Sequence, residues 1–181
     1  MRKSMSFTFS AFAMSGSLWL GGCAPAQQPQ PYALTATYQD AEFKPYGATG
    51  PATVKGQAFL KTVGGDVKTC AGNSVYLMPA TVYNTEILEH MSPTTPISNR
   101  DPRAHEFTKA TVCDADGRFE FDSVAGRKWF VITTVFWGVP QVEDTPFGPT
   151  VVTEPQGGRL VQQADLKGGV NQVLLTAVDR K

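Results

Sequence analysis

From Phe107 to Trp137 the chain reads FTKATVCDADGRFEFDSVAGRKWFVITTVFW, and a two-residue period runs through almost all of it. Phe107 to Cys113 alternates, Asp114 to Gly117 supplies turn residues, and Arg118 to Asp122 alternates again. Side chains two apart share one face of a strand, so the pattern predicts two strands joined as a short hairpin. Asp and Gly suit that turn: Asp caps backbone N–H groups, and Gly takes the positive φ of a tight reversal. Gly126 then opens a longer strand. Trp129, Val131, Thr133, Val135 and Trp137 lie on one face, and Phe130, Ile132, Thr134 and Phe136 on the other. Bulk on both faces predicts a central strand covered on two sides.

The rest of the chain supplies partners for it. TVKGQAFLKT (53–62) puts Val54, Gly56, Ala58 and Leu60 on one face. SVYLMPATVY (74–83) reads as a further strand that Pro79 stops or kinks. GRLVQQADLK and VNQVLLTAV read as two more strands, joined across Gly168-Gly169. Between them, residues 85–105 hold three prolines and read as a long loop, with a short helical turn over Glu86–Met91. Residues 138–157, rich in Pro and Gly, read as a second long loop. Only 18% of residues are charged, while Gly and Pro are common, which fits a turn-rich β protein better than a helical one. The expected fold is all-β: an antiparallel β-sandwich of seven or eight strands. Its expected core is Val54, Leu60, Val75, Leu77, Phe119, Phe121, Trp129, Val131, Val135 and Leu174.

The N-terminus has a different logic. Arg2 and Lys3 precede an apolar run from Phe7 to Leu20 that is too short to span a bilayer. Basic start, short apolar core and small residues at the end describe a secretory signal peptide. Its end, Leu20-Gly21-Gly22-Cys23, resembles the lipobox of bacterial lipoproteins, in which the cysteine is acylated and the chain is cut before it. That resemblance implies a signal peptide over 1–22 and a lipid on Cys23, with palmitate-type chains holding the protein at a membrane. Ala24 in place of Asp favours the outer membrane, with the domain facing the periplasm. The Pro- and Gln-rich stretch 24–31 cannot bury enough surface to order itself and reads as a tether. Residues 32–52, with Tyr32, Tyr38, Phe43 and Tyr46, read as a lead-in packed along the domain, as an edge strand would be. The domain proper is expected over 53–181.

Cys70 and Cys113 remain, an even pair in an oxidising compartment. A disulfide between them would close a loop of about 43 residues, worth about 4 kcal/mol in the chain-entropy model. Two free buried thiols or a metal pair are the alternatives, the latter without a neighbouring Cys or His to complete it.

CDADGRFEFDSVAGRKWFVITTVFW resembles the carboxypeptidase regulatory-like family of transthyretin-like β-sandwiches. Asp114, Gly117, Phe119, Phe121 and Gly126 fall on that family's hairpin signature, Trp129 lies near its usual Tyr, and Val131 matches a later apolar position. VKGQAFL and NSVYLMP are similar to its first two strands, so the resemblance spans roughly residues 53–137. It implies a fold and a non-catalytic appendage, with no activity attached.

Motifs for chemistry are few. The chain ends Ala-Val-Asp-Arg-Lys, unlike the Tyr-Arg-Gly-Ser tail of transthyretin-like hydrolases acting on hydroxyisourate. His90 and His105 lie fifteen apart, unlike the paired histidines of intradiol dioxygenases. Asp114-Ala-Asp116-Gly117 starts like a calcium loop, but position twelve is Ala125 where Glu is required. No G-x-S-x-G, P-loop or G-x-G-x-x-G occurs. No cofactor or metal is expected. Sixteen basic and sixteen acidic residues give no electrostatic case for nucleic acid. The candidate binding residues are His90, Arg100, Asp101, Arg103 and His105 in the first long loop, and Trp137 at the end of the long strand. The expected role is a lipid-anchored envelope protein that binds or scaffolds envelope protein or glycan. The alternative is an envelope hydrolase using loop His and Asp residues. Aromatic residues exposed on one sheet would favour glycan. His90 or His105 in a cleft beside a carboxylate with a strongly perturbed pKa would favour an enzyme.

Overall fold

The long strand predicted from its two bulky faces organises the molecule. In a computed structural model that describes residues 30–176, β8 runs from Lys128 to Thr145. Its first half lies between β4 (Ser74–Pro79) and β9 (Gly148–Asp165), both antiparallel to it, and β6 (Lys109–Val112) completes this sheet in the order β6-β4-β8-β9. The second sheet is built around β2 (Ala52–Lys61). β7 (Arg118–Val124) and β3 (Val67–Thr69) pair with β2 antiparallel, and β10 (Gly169–Leu175) pairs with it parallel.

The two sheets bury one core. Val54, Ala58 and Leu60 of β2, Phe119, Phe121 and Val124 of β7, and Val173 and Leu175 of β10 face Val75, Leu77, Trp129, Val131, Val135 and Leu160 of the other sheet. The two sheets form an all-β sandwich, antiparallel except for the β2–β10 edge. Trp129 is fully buried; its Nε1 donates to Ala125 O at 2.9 Å and Tyr46 meets it edge-on at 4.8 Å. Gly56 is required by this packing, because a Cβ there would lie inside the ring of Phe119 directly opposite. Cys70 and Cys113 form a disulfide, closing the end of β3 onto the end of β6 and so joining the sheets.

Five expectations need correction. Leu174 is 54% exposed, and Val173 and Leu175 point inward instead, because the parallel register sets them beside Gly56 and Ala58. The β6–β7 hairpin is a crossover: Asp114 Oδ1 accepts from Asp116 N and Arg118 N as a tight turn should, yet β6 pairs with β4 and β7 with β2. Residues 138–157 are not a loop but the outer half of the β8–β9 hairpin, with eight residue pairs from Gly138↔Pro155 to Thr145↔Gly148. Pro140, Pro149 and Pro155 are tolerated because no third strand borders the ribbon there. Trp137 therefore lies within β8, where its half-buried ring packs against the main core.

The fifth concerns residues 80–108. A helix, α2 (Val82–His90), begins where a strand was expected to continue; α1 (Asp40–Phe43) and α3 (Arg103–Glu106) are short helices, and β1 (Tyr32–Ala33) pairs with β5 (Ile97–Ser98). Thr81 caps α2 by accepting from Asn84 N. Tyr83, Asn84, Ile87 and Leu88 form its buried stripe. Leu88 packs on Phe130 and Ile132 of the outward face of β8, while Tyr83 and Ile87 join Leu34, Phe43 and Ala104 in a separate cluster. The lead-in, α2 and α3 thus form a helical cap over the outer face of the β4–β8 sheet. Arg159 of β9 fastens the cap by donating to Leu88 O and Met91 O, carbonyls at the end of α2.

Candidate binding cleft

The cap covers the sheet incompletely. Alternation along β4 sends Val75 and Leu77 into the core and Tyr76 and Met78 outward, and β8 sends Phe130, Ile132, Thr134 and Phe136 outward. α2 buries Phe130 and Ile132; Tyr76 stays 42% exposed and Phe136 59%. Between cap and sheet lies a cleft of about 540 Å³, within the usual range for small-ligand sites. Tyr76, Met78, Ile132, Leu88 and Met91 supply its apolar surfaces. Asn84, Arg100, Asp101, His105 and Thr108 supply its polar ones.

Three of the loop residues singled out in the sequence therefore meet at one place. Arg100 and His105 are exposed at the cleft. Asp101 is fixed there from two sides. Its N–H donates to Tyr83 Oη at 2.6 Å, and its carboxylate accepts from Arg103 Nε at 3.0 Å, Arg103 Nη2 at 2.7 Å and Arg103 N at 2.9 Å. The Arg103 guanidinium holds the Asp101 carboxyl below the usual carboxylate range. Arg103 itself lies over the Tyr38 ring at 4.4 Å, outside the cleft, as a positioning residue for Asp101. A carboxylate held ionised in this way is a weak general base. No hydrogen bond joins it to His105 among the described residues.

His90 and Trp137 lie elsewhere. His90 ends α2 and stacks on Tyr32, with ring centroids 3.7 Å apart. Tyr32 in turn donates to Glu86, whose carboxylate also accepts from Thr35 N at 2.8 Å, Thr35 Oγ1 at 2.9 Å and Ala36 N at 2.7 Å. The backbone N–H groups of Thr35 and Ala36 are the largest cause of lowering the Glu86 pKa to about 2. This is a clamp that holds the lead-in on the cap. Trp137 points to the core side of β8, opposite to the cleft. Cys23 lies outside the described residues.

Tyr76, Met78, Asn84 and Met91 were missed in the sequence. The signal for two of them was present: SVYLMP is apolar at both parities, so one set had to face away from the core.

A larger depression of about 660 Å³ crosses β2, β7 and β10. Lys55 and Arg118 there are matched within the chain, with Glu120 at 2.9 Å and with Asp116. Among the described residues, no three His, Cys, Asp or Glu side chains come together as metal ligands would.

No protein-family model and no curated protein sequence matches this chain. Among solved structures, it is similar to a crystal structure of a candidate carbohydrate-binding protein from Pseudomonas aeruginosa. The TM-score is 0.66 at 20% sequence identity, over 78% of this chain and 99% of that one. At this identity the likeness is one of fold: the chain is an all-β sandwich of the same architecture as that protein.

Proposed function

We propose that this chain is a lipid-anchored cell-envelope protein whose sandwich, of the carboxypeptidase regulatory-like kind, binds glycan without turning it over. The observation that carries the reading is the cleft, which a half-exposed Tyr76 lines together with Arg100, Asp101 and His105. A sugar ring has an apolar C–H face and a rim of hydroxyls. An aromatic wall with hydrogen-bonding groups at its edge complements both. The fold shared with a candidate carbohydrate-binding protein supports the same reading. Asp101 is already saturated by Arg103, which favours binding over hydrolysis.

Titration of the full chain with a panel of neutral and acidic oligosaccharides, followed by NMR, tests it. Binding is expected to move signals from Tyr76 and its neighbours, and Tyr76→Ala is expected to weaken it by about 0.5–1.5 kcal/mol, the worth of an aromatic contact. If no member of the panel binds, or if Tyr76→Ala leaves binding unchanged, the assignment fails. Anchoring rests on Leu20-Gly21-Gly22-Cys23. Cys23→Ala is expected to release the protein from the membrane fraction and to keep the uncut mass. A variant that stays membrane-bound with the wild-type mass would refute the anchor.

A further inference from the structure

The polar groups of the cleft fall into an order that restricts the ligand further. Asn84 is 2% exposed and lines the cleft. Its Nδ2 donates to Pro79 O at 2.9 Å, which fixes the amide's orientation. Oδ1 is left as an acceptor with no partner among the described residues. That oxygen is not among the fully buried atoms without a partner, so it opens onto the cleft and is wet when the cleft is empty; a ligand that displaces this solvent has to bring a donor to it. At the exposed edge the demand is of the opposite kind. Arg100 makes no hydrogen bond or ion pair within the described chain. The carboxylate next to it in sequence, Asp101, is committed to Arg103, which also has Asp40 at 3.6 Å. Among the described residues, Asp101 is the one acid lining the cleft, so no carboxylate there is left to face the Arg100 charge.

A donor sought at depth, an anion sought at the edge and an apolar wall between them describe one kind of molecule. Resting on the glycan reading above, we propose that the cleft takes a sugar residue bearing a carboxylate, a hexuronate. Its C–H face lies on Tyr76, Met78 and Ile132, a ring hydroxyl donates to Asn84 Oδ1, and the carboxylate meets the Arg100 guanidinium, with the His105 imidazole beside it. A neutral hexose would leave Arg100 unmatched. An acyl-chain carboxylate would match Arg100 but leave Asn84 without a donor.

The test compares galacturonate and glucuronate oligomers with the same oligomers after carboxyl reduction, titrated into the full chain by calorimetry. The acids are expected to bind about tenfold more tightly than their reduced forms, the scale of one charge-assisted hydrogen bond. Rising salt should erode that preference, because the pair is at the surface. Arg100→Gln is expected to abolish the preference and Arg100→Lys to keep part of it. Arg100 is exposed, so a melting curve unchanged from wild type shows that each variant is folded. Equal binding of acid and reduced oligomers, or a preference that survives Arg100→Gln, overturns the hexuronate assignment and leaves the glycan reading standing. Failure of every oligomer, acidic and neutral, overturns both.

Discussion

Breaking the Cys70–Cys113 disulfide is expected to be the largest single loss of stability available without touching an apolar side chain. The bond closes a loop of 43 residues and ties β3 in one sheet to β6 in the other. In the chain-entropy model, removing that constraint from the unfolded ensemble is worth about 4 kcal/mol at 25 °C. For a domain of this size each kcal/mol corresponds to roughly 2–4 °C of melting temperature, so the fall should be about 8–16 °C. Cys70 is fully buried and Cys113 nearly so, so the double variant Cys70→Ala/Cys113→Ala adds a packing loss to the entropic one. Chemically reduced wild type isolates the entropic part. The assay is thermal melting by circular dichroism of the oxidised, reduced and double-alanine proteins, with thiol titration to confirm each state. Oxidised and reduced proteins that melt within about 2 °C of each other would refute the reasoning, because the loop would then carry no effective constraint.

Gly56→Ala would force a methyl group into the Phe119 ring. Overpacking of this kind costs about 1–3 kcal/mol, read as a lowered midpoint in urea; an unchanged midpoint would mean that Phe119 can turn aside freely. Replacing residues 139–154 by Asn-Gly removes the outer β8–β9 ribbon, which contributes nothing to any of the three apolar clusters. The sandwich should keep its melting temperature to within about 3 °C, and a loss above about 10 °C would show that the ribbon holds the fold. Glu86 has its folded pKa depressed to about 2, below its unfolded value of roughly 4.3. Its stabilisation is therefore fully present above about pH 4.5 and is lost as pH falls towards 2. Protection of Thr35 and Ala36 against hydrogen exchange, corrected for the intrinsic pH dependence of the rate, should fall through that window, and Glu86→Gln should show low protection at neutral pH as well.

Period-two alternation made the strands legible because each has one face against the other sheet. Val54, Val75, Leu77, Phe119, Phe121, Trp129, Val131 and Val135 all read correctly for that reason. Leu174 did not, since Val173, Leu174 and Leu175 are all apolar and only the parallel register against β2 chooses between them. Prolines misled once and guided once. In 138–157 they sit in a ribbon with no third strand, where a missing N–H costs nothing. Around Pro79 the strand really does end, but the Thr81 cap that starts α2 was hidden by the β-branched and aromatic residues after it. The cleft was half visible. Arg100, Asp101 and His105 stood out as a polar cluster, while Tyr76 and Asn84 come to it from β4 and α2, and only the cap's placement on the sheet brings them together.

The two outer faces of the sandwich argue for the same side. On β2 and β7 the outward residues close on one another: Lys55 pairs with Glu120, Thr53 donates to Asp122 at 3.0 Å, and Gln57 reaches Asp116 O at 2.8 Å. The polar groups of these two strands are thus satisfied among themselves. On β4 and β8 the outward residues are Tyr76, Met78, Phe130, Ile132 and Phe136, which require cover. α2 covers only part of them, held down by Arg159 and by the Glu86 clamp on the lead-in. A cap meant solely to shield this face would have no reason to leave Tyr76 open above a cleft with an unpaired Arg100 at its edge. On the proposed glycan reading, the uncovered part is where the ligand would complete the packing that the chain leaves unfinished.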